Sequence, residues 1–338
     1  MKKYSFVLLG IVGTLLFCFP PVMPNAWSSD FPLPLALAPQ TANPLKNLAD
    51  KNFQKTLEYT LSQNKTWQKL IREKKMTVGL VDLSDPGHIM FARINGGEMM
   101  YAASLPKIAV LLAAFHCFEY DGLEQTPRIM DDLGLMIRKS NNQAATRVIE
   151  KITLERIQQI LVMPQYGFYD QDHGGGLWVG KKYAKTCCRL PDPLKGLSHA
   201  ATATQVCRFY YELAMGRLIS PERSRQMLEI LVDPDIEHKF VKALKNMVPD
   251  AKIFRKSGTW KTWHSDSVLV WGPGWRHYIA VALVEDANGE MILQNLLPVL
   301  ESVLKTNAGK FSVPRLEQAA ADPSAPHARI KRKSYPWL

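Results

Sequence analysis

Cysteine is scarce in this chain. It has 5 among 338 residues, and one of them, Cys18, lies in an apolar N-terminal run. The other four are Cys117, Cys187, Cys188 and Cys207, and none stands at a metal-binding spacing with His or another Cys. That pattern excludes a structural zinc site, and no metal or other cofactor is expected. Acidic residues are also in short supply: 31 Asp and Glu stand against 42 Lys and Arg, for a formal charge of +11. The excess is not interleaved with aromatic residues on any recognisable nucleic-acid module, so DNA and RNA are not expected partners. Internal repeats are missing as well, which argues for one large packed domain rather than an array.

What is present begins with the ends. "MKKYSFVLLGIVGTLLFCF" is a basic start followed by an apolar run, the pattern of an export signal. Residues 1–25 are assigned to a signal peptide or an N-terminal anchor. "ALA" at Ala36 to Ala38 fits the small-residue cleavage rule, but Pro39 follows it, so an uncleaved anchor stays open. A periplasmic or extracellular location follows. There, four remaining cysteines permit disulfides without fixing their pairing. Residues 26–44 read as a Pro-rich linker, and 45–306 as the folded domain. The tail 307–338 ends in "PSAPHARIKRKSYPWL", basic and without an acid, and reads as disordered. A solvated tail is the plainer reading; weak contact with an anionic envelope polymer or lipid is the other.

Inside the domain, a helical pattern over 45–75 precedes two β-like runs, Met76 to Leu83 and His88 to Ile94, joined by the turn signal "SDPG". Residues 129–162 read as two or three helices, and 163–200 as a long irregular loop. Helices return over 201–247. "KIFRKSGTW", "DSVLVWG" and "HYIAVALVE" then read as three strands, with a closing helix from Met291 to Leu304. The order predicts an α+β fold, an α/β sandwich. The early and late strands complete one antiparallel sheet flanked by terminal helices, with a helical lobe inserted over about 105–250.

Ser-x-x-Lys occurs at Ser62 and Lys65, Ser104 and Lys107, and Ser302 and Lys305. Only the middle instance opens an apolar helix directly after a strand pair; the others read as surface positions. A cation at the start of a helix entering the core opposes the macrodipole, so Lys107 asks for a reason. Snorkelling to water is the bland one; service as a base beside Ser104 is the sharp one. Downstream, Ser140, Asn141 and Asn142 stand between two apolar helical segments, where caps and turns also favour these types. Lys256, Ser257 and Gly258 sit on a strand, and a strand Gly often marks close approach of another backbone or a ligand.

The three motifs in this order resemble those of the penicillin-recognising serine enzymes, specifically the class A β-lactamase-like family. Ser-x-x-Lys falls on Ser104 and Lys107, Ser-x-Asn on Ser140 and Asn142, and Lys-[Thr/Ser]-Gly on Lys256 to Gly258. The resemblance covers roughly residues 45 to 306. It implies that Ser104 is the nucleophile, Lys107 its base and Ser140 a proton relay. It also implies that Asn142 holds the substrate amide, that Lys256 with Ser257 or Thr259 binds the substrate carboxylate, and that the Ser104 and Thr259 N–H groups form the oxyanion hole. The partner implied is a small-molecule or peptide acyl donor, a β-lactam or a D-Ala-like compound, taken by a monomer. Departures are specific. The family's loop Glu, which activates the deacylating water, has no counterpart: no Glu lies between Pro164 and Ala200. Asp170, Asp172, His173 and Asp192 are the acids and bases available as substitutes. The middle of the second motif is Asn141 where class A enzymes have Asp. The interval from Ser104 to Ser140 is short, so the lobe is expected to be trimmed. Trp260, Trp263 and His264 are expected to pack at the sheet rim, with a substrate shelf at Trp260 as the alternative. A cell-envelope D-Ala peptidase or esterase, and a non-catalytic receptor for such ligands, are the other functional readings.

Overall fold

The computed structural model describes residues 43–184 and 188–311, together with Pro34. The expected leader, nearly all of the linker, Cys187 and the tail past 311 lie outside the described residues.

The main strands are β1 (Met76–Asp82), β2 (Met90–Ile94), β8 (Lys252–Trp260), β9 (Trp263–Trp271) and β10 (His277–Glu285). They form a five-stranded antiparallel sheet in the order β2-β1-β10-β9-β8. The early strand pair therefore joins the late ones through β1 and β10, with Val81 opposite Ile279 and Gly79 opposite Val281. Side chains alternate between two buried faces. Val78, Leu80, Ala280 and Ala282 face α1 (Lys51–Ser62) and α10 (Gly289–Phe311), while Val81, Ile279, Val281 and Leu269 face the helical lobe. Because both faces are covered, β1 and β10 read as nearly continuous apolar runs. Helix α10 runs past the expected domain end at 306.

The lobe holds α3 (Lys107–Tyr120), α4 (Pro127–Arg138), α5 (Asn142–Ile152), α6 (Leu154–Val162), α7 (Ala203–Ala214) and α8 (Pro221–Leu231); α9 (Phe240–Met247) packs on α10. Helix α3 is its axis. Every residue from Lys107 to Cys117 is buried, as expected of a helix apolar on all sides. Helix α7 crosses the sheet so closely that a Cβ on Gly79 would stand 2.5 Å from Cys207 Sγ. Cys207 is a buried free thiol, as is Cys117, whose Sγ donates to Asp121 Oδ2 at 3.2 Å. The disulfides that an even cysteine count permitted thus do not involve these two.

The segment 163–200 is more ordered than an irregular loop. It carries β4 (Tyr169–Asp170), β5 (Gly175–Gly176) and β6 (Trp178–Val179), and leads into β7 (His199–Ala201). Strand β7 pairs with both β6 and β3 (Met100–Tyr101). Two-residue strands carry too little periodicity to be read from sequence.

Candidate active site

Three chain segments meet at the N-terminal end of α3. The first is the turn from β3 into α3. Ala103 takes φ 50°, a left-handed backbone unusual for a residue with a Cβ. Ser104 follows it, half-buried. The helix begins at Lys107, with Pro106 as its N-cap residue, so Ser104 lies in the turn before the helix rather than in its first turn. The Lys107 N–H donates to Ser104 O at 3.2 Å, which holds the serine one turn from the lysine.

The second segment is the turn between α4 and α5. Ser140 has φ 52°. Asn141 is the N-cap of α5, its side chain accepting from Ala144 N at 2.8 Å. The middle residue of Ser-Asn-Asn is thus a capping residue, and Asn and Asp serve that role about equally well. With Asn141 turned to its own helix, Asn142 is left to reach the site.

The third segment is β8. Gly258 admits the α3 turn: a Cβ there would lie 2.7 Å from Ser104 N and 2.7 Å from Ser265 Oγ. Any side chain would push β8 away from the serine.

Lys107 is fully buried. Its Nζ donates to Ser140 O at 2.7 Å and Asn142 Oδ1 at 2.8 Å, with Ser140 Oγ at 3.5 Å. Among the described residues no carboxylate pairs with it, and desolvation lowers its pKa to about 7. The Tyr183 ring lies 4.5 Å from Nζ, and the Tyr183 hydroxyl donates to Ala103 O at 3.3 Å. Lys256, 1% exposed, donates to Ser140 Oγ at 2.9 Å. Burial first, and then the charge of Lys107, hold its pKa well below the ordinary lysine value. Ser140 Oγ therefore lies between two lysines.

The far side of β8 is braced by groups absent from the sequence expectations. Lys239 Nζ, fully buried, donates to Gly258 O at 2.6 Å, Thr259 Oγ1 at 2.8 Å and Ser265 O at 3.1 Å. Desolvation lowers its pKa to about 8. His238 Nε2 lies 3.2 Å from Ser257 Oγ. Arg255 and Asp266 form a buried ion pair across β8 and β9, Nε to Oδ1 at 2.7 Å. A lysine before a short helix gives no pattern that marks it as buried, whereas Lys256 to Gly258 form a recognisable motif.

The loop acids behave differently. Asp192 is buried and accepts from the N–H groups of Leu194 (3.0 Å), Lys195 (2.9 Å) and Leu197 and from the Tyr169 hydroxyl (3.3 Å). Asp170 accepts from Asp172 N at 3.0 Å, and its Oδ2 lies 2.8 Å from His173 Nδ1. Asp170 and His173 line a cavity with Thr202 and Gln205. Among the described residues, none of these loop groups bonds to Ser104, Lys107, Ser140 or Lys256.

A second cavity, of about 770 Å³, opens beside Asn142, Tyr101 and Tyr183. One wall is a run of rings: Trp263 on Tyr101 (centroids 5.5 Å apart), Tyr101 on His199 (6.2 Å) and His199 on Tyr183 (4.3 Å). Trp260 lines the same cavity and is 55% exposed. Rim packing therefore describes Trp263 and the buried His264, but not Trp260.

No curated protein matches the sequence. Solved structures similar to it include a β-lactamase from Sphaerobacter thermophilus, 18% identical, with a TM-score of 0.55 over 68% of this chain and 92% of that one. PBP-A is 16% identical, with a TM-score of 0.55 over 76% and 97%. A variant of the last common ancestor of Gram-negative class A β-lactamase, bound to 5(6)-nitrobenzotriazole, is 13% identical, with a TM-score of 0.58 over 74% and 99%. At these identities the likeness shows the fold. The profile of the β-lactamase enzyme family matches residues 63–297, a stretch that holds the α3 turn, the α4–α5 turn and β8; the chain belongs to that family and is a β-lactamase-like serine hydrolase.

Proposed function

We propose that the protein is an exported enzyme that opens a β-lactam, or a related amide or ester, through an acyl-enzyme on Ser104. The observation that carries this reading is Lys107, a lysine with no counter-ion among the described residues, held one turn from a serine by neutral acceptors and with its pKa brought to about 7. Near neutrality a large share of Lys107 is unprotonated and able to take the Ser104 proton. The hydroxyl oxygen bonds to the acyl carbon, and the oxyanion is received by the Ser104 and Thr259 N–H groups. One such donor is worth about 3 kcal/mol in the transition state. The proton passes by way of Ser140, which Lys256 also contacts, to the leaving nitrogen as the C–N bond breaks. Asn142 orients the substrate amide, and Lys256, Ser257 and Thr259 hold its carboxylate. No cofactor enters these steps.

A second reading is a cell-envelope D-Ala peptidase or esterase that β-lactams inhibit. It is favoured by the missing Glu over 164–200 and by the commitment of Asp192 to its own loop. A receptor without chemistry has no use for the Lys107 and Lys256 arrangement. PBP-A has also been solved, as a mutant, in an acyl-enzyme complex with penicillin G.

Time-resolved intact mass spectrometry with benzylpenicillin tests both. The expected result is an adduct on Ser104 that is absent in Ser104→Ala. Labelling of another serine in that variant would sink the assignment. A transient adduct with hydrolysed drug supports β-lactamase turnover; a persistent one supports the peptidase or esterase.

A further inference from the structure

The cavity beside Asn142 has an unbalanced charge. Lys181, Lys182, Arg189 and Lys261 line it, and no carboxylate does. Lys182 is paired with Glu150 at 3.0 Å. Arg189 donates to a neutral carbonyl, Gly196 O. Lys181 and Lys261 have no ion-pair partner among the described residues. Lys256, Ser257 and Thr259, which would hold the substrate carboxylate, are not in the lining. Three uncompensated cations thus surround a cavity with an aromatic wall, away from the β8 anion site. His199 adds a further feature. Its Nε2 faces the Lys181 carbonyl at 3.1 Å and must donate to it, which leaves Nδ1 as a buried acceptor without a partner.

We propose that this cavity receives the acyl portion of the substrate, and that this portion carries an apolar or aromatic group and a second anionic group whose counter-ions are Lys181, Arg189 and Lys261. The inference rests on the Ser104 reading for its chemistry, but not for the binding of the anion. Rings of the donor lie against Tyr101 and Trp263, with the exposed Trp260, the cross-strand partner of Trp263, as a further stacking surface. The natural donor is then at least a dianion, such as a peptide with an acidic side chain near the scissile bond. A donor with a neutral acyl side chain is a poorer substrate.

Benzylpenicillin and carbenicillin separate the two classes, because they differ by one side-chain carboxylate. The expected ratio of second-order acylation constants favours carbenicillin by about tenfold at low ionic strength, which corresponds to about 1.4 kcal/mol, within the range of one charge pair near a protein surface. In Lys181→Ala/Lys261→Ala the ratio falls towards one. Equal rates in the parent protein, or a ratio that the double substitution leaves unchanged, would overturn the proposal. Calorimetric binding of both penicillins to Ser104→Ala reads the same preference without the nucleophile. Preferential binding of carbenicillin together with no labelling of the parent protein would overturn the serine assignment alone. Equal binding, or binding of neither, would overturn the anion site.

Discussion

The α4–α5 turn and the 163–200 loop both present polar residues between apolar segments, yet they use them in opposite ways. In the turn, one residue is spent on the backbone and its neighbours are released: Asn141 caps α5, while Ser140 and Asn142 meet Lys107 and Lys256. In the loop, Asp192 is spent on three N–H groups and a tyrosine hydroxyl, and Asp170 on its own turn and His173. A side chain whose acceptors are filled by its own loop is poorly placed to activate a water. The groups proposed to form the acyl-enzyme stand together, while Asp170 and Asp192, two of the acids proposed for releasing it, are committed elsewhere.

The comparison breaks most directly at Lys107. Lys107→Ala should slow acylation of Ser104 by on the order of a hundredfold or more, the usual loss with a general base. Stopped-flow acylation, with circular dichroism as a check on folding, measures it; a rate equal to that of the parent would move the base elsewhere. The pH profile sharpens the same point. A lysine protonated below about pH 7 cannot accept a proton, so acylation should rise with pH and level off above about 7. The sign for stability is the same. Between about 7 and the ordinary lysine value the unfolded chain binds the proton and the folded one does not, so this group's contribution to stability improves as pH rises through that window.

Much of this was legible in the sequence, for identifiable reasons. Strand β10 matches the run read at His277 to Glu285, because burial on both faces leaves it almost wholly apolar, and β8 matches the run read at Lys252 to Trp260. The motif residues at Lys107, Ser140 and Lys256 could be named because short spacing within a turn or strand survives as a pattern. Lys239, Tyr183 and His199 could not. Each reaches the site across the fold, Lys239 from the residue before α9 and the other two from the long loop and the strand that follows it. No spacing links them to Ser104. The sequence shows part of the cation excess at the chain ends, whereas Lys181, Arg189 and Lys261, which have no ion-pair partner among the described residues, surround a cavity.

A smaller effect is expected at Asn141. If its task is capping alone, Asn141→Asp keeps both stability and acylation, because the two side chains cap almost equally well. Asn141→Ala removes the acceptor for Ala144 N and should cost about 1 kcal/mol in chemical denaturation. Acylation should then weaken only so far as the turn loosens. A loss of acylation in Asn141→Asp with unchanged stability would mean that the middle position takes part in the chemistry, and the contrast between turn and loop would lose its first half.

The smallest effect is expected where the second half of the contrast is most exposed to refutation. Asp170 and His173 are surface residues bonded to each other, beside Thr202 and Gln205 rather than beside Lys107. Solvent screens a pair in that setting, so it contributes little. Asp170→Asn and His173→Ala should therefore leave the lifetime of the Ser104 adduct within about twofold of the parent, since a general base is worth at least about a hundredfold. Decay of the adduct followed by intact mass decides it. Should either substitution prolong the adduct by two orders of magnitude, the loop would have to swing its acid to the acyl carbon during the reaction, and its resting hydrogen bonds would mark a stored base rather than a structural one.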